Sequence, residues 1–419
     1  MVLASVGASV YAVWSAVASP WQQLAAMHHV RGPAPARVEL GVRPYFLVED
    51  MAASPLQAKL RACAEGPMDV HRTSFAIGHR GACLQFPEHT RESYLAAIRM
   101  GAGRVECDVA FTRDHGLVCR HSMSDLHTTT NILLTPLAAK CHRPFTPYNP
   151  TTGETATAEC RTTDITLAEF KTLRGKMDGF NPTATTVDEY VAGTPTWRTD
   201  LYAGPTSGTL MTHAESIALF SAHGVQMTPE LKEPSVSMPF HGFSRHDFAD
   251  KIVQEYIDAS IPPSHVFPQA FAYDDIVYWL SAHPAFGANA VYLDDANTVD
   301  ELPSHDQLVG YKAAGINIVA PPIWALLTTN GEDGRVVPSL YAQHVKAAGL
   351  RIVAWSLDRA GILAETRGGW YYRTIQSAIA REGDMLETLH VLTQDVGIES
   401  IFADWVATPV FYANCVGRA

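Results

Sequence analysis

The sequence has little of what marks several functional classes. Seven cysteines in 419 residues are too sparse for a small disulfide-stapled scaffold. Basic residues are in the minority. Lys plus Arg number 31 against 43 Asp plus Glu, giving a formal net charge of −12, which disfavours general nucleic-acid binding and adsorption to an anionic membrane. An anionic substrate is not excluded, because a bound cation reverses the local sign. After the first residues no apolar run reaches the ~18 residues of a membrane span, so the body carries no predicted spanning helix. The chain has no Gly-x-Gly-x-x-Gly or Walker sequence, which removes the common nucleotide-binding signals. No repeat of about 20 to 50 residues is evident.

What is present is ample core material. Hydrophobic residues make up 47% and charged residues 18%, which excludes a disordered chain. The length fits two or three domains of about 150 residues, or one barrel of roughly 250 residues with insertions. The cysteines are Cys63, Cys83, Cys107, Cys119, Cys141, Cys160 and Cys415, an odd number that leaves one without an internal partner. Cys83 and Cys107 lie beside the motifs described below and read as buried thiols. Cys141 and Cys160 bracket a polar Pro/Gly-rich stretch where a bridge would be useful, and an exported chain would favour one.

Export is a reading of the first 19 residues. Met1 to Ser19 carry no charge, and Ala16-Val17-Ala18 has the small-x-small form of a signal-peptidase site, although the basic start is missing. A signal peptide implies a periplasmic or secreted protein. A tail or a weak membrane anchor are the alternatives, and without a signal the chain would be cytoplasmic. Residues 20–71 read as a leader and approach segment broken by Pro33 and Pro35.

Regular alternation begins at Ser74. Short apolar runs are read as strands at 74–78, 104–111, 117–121, 225–232, 265–271, 290–293, 316–320, 351–355 and 400–403. Helical spacings separate them, including 91–100, 215–223, 247–259, 274–283, 308–314, 339–348, 372–381 and 385–395. Residues 122–208 break the pattern. They are rich in Thr, Pro, Gly and Asn, hold one predicted helix at 167–173, and read as an insertion. Setting aside the hairpin-like run at 117–121, about eight strands alternate with helices. This predicts an α/β fold, a TIM (β/α)8 barrel over 72–419 with a large insertion after the second strand region.

Catalytic groups of such a barrel gather where the strands end. His79 and Arg80 end the first strand and Glu106 and Asp108 the second. His121 ends the hairpin strand and Glu230 and Lys232 the next, while Gln269, Trp355 and Asp404 end later ones. Alternation puts Glu106 and Asp108 on one face. A lone Glu-x-Asp is usually a pair of solvated strand-end carboxylates. Three crowded carboxylates, Glu106, Asp108 and Glu230, call for a positive charge between them, and oxygen ligands suit one hard divalent cation, Ca2+ or Mg2+. Arg80 and Lys232 suit a phosphate, unless each pairs with a neighbouring carboxylate. His79 and His121 suit acid–base work near neutral pH, against the usual surface or structural role of any one histidine among 18. The sum points to metal-assisted phosphodiester cleavage.

These residues resemble the glycerophosphodiester phosphodiesterase family. The resemblance rests on Ile77 to His89 (IGHRGACLQFPEH), Val105 to Asp108 (VECD), His121 and Pro229 to Lys232 (PELK). It covers roughly residues 72–410 and is weaker near Gln269, Trp355 and Asp404. The family's Pro-Glu-Asn-Thr element stands here as Pro87-Glu88-His89-Thr90, with His89 in place of Asn. The resemblance implies a TIM barrel and hydrolysis of a small-molecule glycerophosphodiester to glycerol 3-phosphate and an alcohol. It implies Glu106, Asp108 and Glu230 as metal ligands, His79 and His121 as the acid–base pair, and Arg80 and Lys232 at the phosphate. Glu88 would orient those groups, Gln269 would contact them or the substrate, and Trp355 would pack against the glycerol. Asp404 reads as a structural closure of the last strand onto the first.

Three other readings compete. A phospholipase D-like enzyme on the same fold would cleave lipid headgroups and needs an apolar approach, for which Phe145, Tyr148, Phe180, Tyr190 and Trp197 in the insertion are candidates. A glycoside hydrolase explains Glu106 and Glu230 but leaves His79, Arg80 and Lys232 idle. A catalytically inactive binding protein would retain the full set without use.

Overall fold

A computed structural model describes residues 37–195, 197–199 and 208–418. The candidate signal segment and most of the approach segment's first half lie outside the described residues. Eight parallel strands form the centre: β1 Thr73–Gly78, β2 Ala102–Phe111, β3 Gln226–Leu231, β4 Gln269–Ala270, β5 Val291–Leu293, β6 Ile318–Ala320, β7 Arg351–Ala354 and β8 Ser400–Ala403. Each pairs with the next in sequence, and β8 pairs with β1, which closes the cylinder. This is the expected TIM barrel. The hairpin strand Leu117–Cys119 runs antiparallel along the end of β2.

Alternation along each strand divides the side chains between two cores. Ile77, Phe267, Val291, Leu293, Ile318, Ala320, Val353 and Phe402 fill the barrel interior. Arg104 enters the same space, with its guanidinium 3.5 Å from the Phe267 ring centroid and hydrogen bonds to Gln226. The outward residues pack against the helices in a second, larger core.

Some local expectations change. The predicted strand at 265–271 is continuous only over Gln269–Ala270, with a separate parallel bridge between Val266 and Met227, because Pro268 has no N–H for the ladder. The spacing at 372–381 is not an α-helix. Turns and a short 3-10 segment, Gln376–Ala378, bury Tyr372, Ile375 and Ile379 at intervals that resemble helical periodicity. The helix Asp384–His390 continues as a wider π-helical turn over Val391–Val396.

From residue 37 the approach segment is more ordered than its composition implied. Helices Arg43–Asp50 and Pro55–Glu65 pack on the C-terminal helix Ala407–Val416. Tyr45 meets Phe411 edge to face at 5.6 Å, and a Cys63–Cys415 disulfide joins the two ends.

The insertion leaves the barrel after the hairpin and returns before the helix His213–Ala222. Its predicted helix is one turn, Leu167–Phe170, and it also holds Leu126–Thr129, Val187–Val191 and a two-stranded ribbon of Arg143–Thr146 with Thr157–Glu159. Cys141–Cys160 bridges it. Lys176 is buried and its ammonium donates to the carbonyls of Thr128, Met177 and Gly179, which ties the 176–179 stretch to the helix Leu126–Thr129. Phe145 and the exposed Phe180 pack on the buried Tyr190 at 5.4 and 5.0 Å, an aromatic group within the insertion itself.

Candidate active site

Strand register assembles the carboxylates. On β2 the inward face carries Arg104, Glu106 and Asp108 in turn. Asp108 lies opposite Glu230 of β3, and Glu230 lies opposite Gln269 of β4. Oxygens of Glu106, Asp108 and Glu230 fall within 4.8 Å of one another, and all three residues are buried. Burial, then the neighbouring Asp108 and Glu230, push the Glu106 carboxyl well above the usual range. Glu230 is pushed up to about 7, chiefly by burial. Asp108 stays well below its ordinary value because Lys232 and His89 outweigh its burial. Asp108 Oδ1 is buried without a hydrogen-bond partner, and so is Gln269 Oε1, while Gln269 Nε2 donates to Glu106 Oε1 at 2.8 Å. Crowded carboxylates with an orphaned oxygen fit a hard cation.

The first βα turn supplies the cations. Arg80 adopts a left-handed backbone (φ +56°), followed by Gly81 (φ +91°), where a Cβ would fall 2.4 Å from Ser93 Oγ. This bend lets the Arg80 N–H donate to Glu106 Oε2 at 2.9 Å. Its guanidinium donates to both oxygens of Glu88, at 3.1 and 3.3 Å, and its Nε lies 3.6 Å from Asp108 Oδ2. Burial and Arg359 oppose its charge, but Glu88 and Asp108 overcome them and hold it protonated. Lys232 pairs with Glu230 and lies 5.9 Å from the Phe271 ring.

The two histidines stand on different supports. His79 is buried at the end of β1, its Nδ1 3.0 Å from Asp404 Oδ1 and its Nε2 3.8 Å from Glu106 Oε2. Burial lowers its pKa, against Asp404, which raises it. Asp404 therefore does more than close the last strand. It also accepts from Ser356 at 3.0 Å and Arg359 at 2.9 Å, and from the free thiol of Cys83 at 2.5 Å. His121 follows the hairpin and is half-buried. Burial, Arg80 and Lys232 together lower its pKa well below the usual value. It lies within 4.8 Å of Glu88 and of Asp125. Cys107 is not a free thiol. Its disulfide to Cys119 ties the strand bearing Glu106 and Asp108 to the strand leading to His121.

A cleft of about 340 Å³ opens beside this cluster, lined by His121, Glu230, Lys232, Arg245 and Phe271. Trp355 donates its indole N–H to the Ala320 carbonyl at 2.7 Å and stacks on Trp370 at 5.6 Å, with Phe271 and Tyr371 edge-on. All ten predicted site residues thus lie on one rim. Sequence reasoning missed Arg359 and Ser356, which sit in a loop with no motif. It noted His89 only as a departure, yet its Nε2 lies 2.9 Å from Asp108 Oδ2.

Comparison with known proteins follows the same lines. The sequence model of the Glycerophosphoryl diester phosphodiesterase family matches residues 79–407. A protein of Arthroderma benhamiae named "Extracellular protein" is 42% identical over 244 residues, covering 57% of this chain and 99% of its own length. A glycerophosphodiester phosphodiesterase of Arabidopsis thaliana is 26% identical over 258 residues, covering 56% of this chain and 60% of its own length. A crystal structure of a Silicibacter pomeroyi protein named for the same family shares the fold, with a TM-score of 0.53 at 16% identity, covering 84% of this chain and 97% of its own.

Proposed function

Because the chain belongs to the glycerophosphoryl diester phosphodiesterase family, we propose that it hydrolyses glycerophosphodiesters to sn-glycerol 3-phosphate and an alcohol. The observation that carries this reading is the triad Glu106, Asp108 and Glu230 within 4.8 Å, with His79, His121 and Arg80 at the same rim. Glu106, Asp108 and Glu230 would hold one divalent cation, Ca2+ or Mg2+, which supplies positive charge against the phosphate and the developing oxyanion.

The chain's own groups do the rest. Arg80 and Lys232 bind the phosphoryl oxygens, and Glu88 and Glu230 fix the two cationic heads before substrate arrives. Asp404 holds His79 Nδ1 as the protonated nitrogen, which leaves the Nε2 lone pair facing the site. His79 then takes the proton of the attacking oxygen, and His121, on the cleft side, takes up a proton when the substrate's phosphate anion lies beside it and gives that proton to the leaving alcohol. The cleft gives that alcohol room, and Trp355 packs against the glycerol.

Export is part of the same proposal. Three disulfides favour an oxidising compartment, and the Arthroderma relative's name agrees. Residues 72–419 form the catalytic unit and 122–208 its insertion.

The test compares two substrates. Purified protein is expected to release glycerol 3-phosphate from glycerophosphocholine and to leave a choline lipid intact. Headgroup release from the lipid, with none from glycerophosphocholine, would overturn the proposal in favour of a phospholipase D-like activity.

A further inference from the structure

His89 stands where the family's Pro-Glu-Asn-Thr element has Asn, and the structure gives its ring two partners. The residue is fully buried. Its Nε2 lies 2.9 Å from Asp108 Oδ2, and its Nδ1 lies 2.9 Å from the Tyr94 hydroxyl. A left-handed backbone (φ +55°) turns the side chain inward, and its N–H donates to the Arg80 carbonyl at 3.0 Å. A carboxylate only accepts, so His89 Nε2–H is the donor to Asp108. Tyr94 is itself fixed. It lies on the helix Arg91–Arg99 and meets Phe220 edge to face at 4.8 Å.

The consequence falls on the other oxygen of Asp108. With Oδ2 held by His89 and approached by Arg80, the carboxylate cannot rotate freely about its terminal bond. Oδ1 is then presented in one direction, buried and without a hydrogen-bond partner, in a carboxylate whose oxygens come within 4.8 Å of those of Glu106 and Glu230. An Asn at this position would offer Asp108 an amide donor, but it has no second ring nitrogen on the far side to meet the Tyr94 hydroxyl.

We propose that His89 is a positioning residue that aims Asp108 Oδ1 at the divalent cation, and that Tyr94 holds His89 in that orientation. The inference rests on the metal-dependent reading of the site. It adds to the motif a Tyr94–His89–Asp108 chain that runs from a barrel helix to the carboxylate cluster. Partners of this kind tune a site by fixing the direction of a ligand's lone pair.

Calorimetric titration of the full chain with Ca2+ and with Mg2+, in the absence of substrate, tests it. His89→Ala should raise the cation Kd by about 10- to 100-fold. Tyr94→Phe should raise it by a smaller factor, and His89→Asn should recover part of the loss, with each variant checked for native circular dichroism. A folded His89→Ala with the wild-type Kd overturns the proposal. If His89→Ala does not fold, Tyr94→Phe decides, since it loses only a hydroxyl, and an unchanged Kd overturns the chain. A wild-type protein that binds neither cation overturns the metal reading itself and the inference with it.

Discussion

At the residue scale, the carboxylate and cation pattern was legible because each group sits where an apolar run stops. Glu106 and Asp108 share a face by strict alternation, and Glu230 and Gln269 come alongside by register. The supports were not legible. Asp404 ends the last strand, but nothing in the sequence says that its carboxylate meets His79, which is 325 positions away. Arg359 and Ser356 arrive from a loop with no periodicity, so only the folded chain brings them to Asp404. The central prediction at this scale concerns that dyad. Asp404→Asn keeps the shape but replaces an acceptor-only carboxylate with a neutral amide, whose NH2 can turn to His79 Nδ1 and select the other tautomer. It should lower kcat by about 10²- to 10⁴-fold with KM little changed. An unchanged kcat would return Asp404 to a purely structural role. His121→Ala should abolish turnover in a folded protein, and near-normal turnover would remove His121 from the mechanism.

At the element scale, strands and long helices followed the sequence and short elements did not. Period-two runs such as 104–111 gave β2 within two residues at its start. The stretch 372–381 misled because buried turns reproduce helical spacing. In the insertion, polar composition hid a core centred on Tyr190 and a buried cation at Lys176. Burial lowers the Lys176 pKa from 10.5 to about 8. Between those two values the unfolded chain keeps a proton that the folded chain has released. Stability should therefore rise with pH across roughly 8 to 10.5, and below that window the full cost of burying the ammonium remains. Denaturant titrations of wild type and Lys176→Met from pH 8 upward should show a more positive slope in the wild type, with other titrating groups common to both proteins. Lys176→Met should also lose about 2 kcal/mol or more at pH 7, because three carbonyls lose their donor. Parallel slopes in the two proteins would show that Lys176 does not titrate in this range.

At the scale of the whole molecule, the barrel, its strand count and the place of the insertion were readable from alternation and its interruption. The packing of the chain ends was not, since residues 37–71 have no signal that points to the C-terminal helix. The Cys63–Cys415 bridge closes a loop of 352 positions around the entire barrel and lies away from the catalytic rim. Replacing both cysteines with serine should lower unfolding stability by about 2–5 kcal/mol with activity per folded molecule retained. A loss of activity without a loss of stability would place the bridge in the catalytic account instead.

The account stands on a carboxylate cluster that works through a cation beside two histidines. The most direct test is release of glycerol 3-phosphate from glycerophosphocholine by the purified protein, before and after EDTA and after return of Ca2+ or Mg2+. The account predicts release that stops with EDTA and resumes with one of these cations. Full activity that persists in EDTA after exhaustive removal of metal would contradict it.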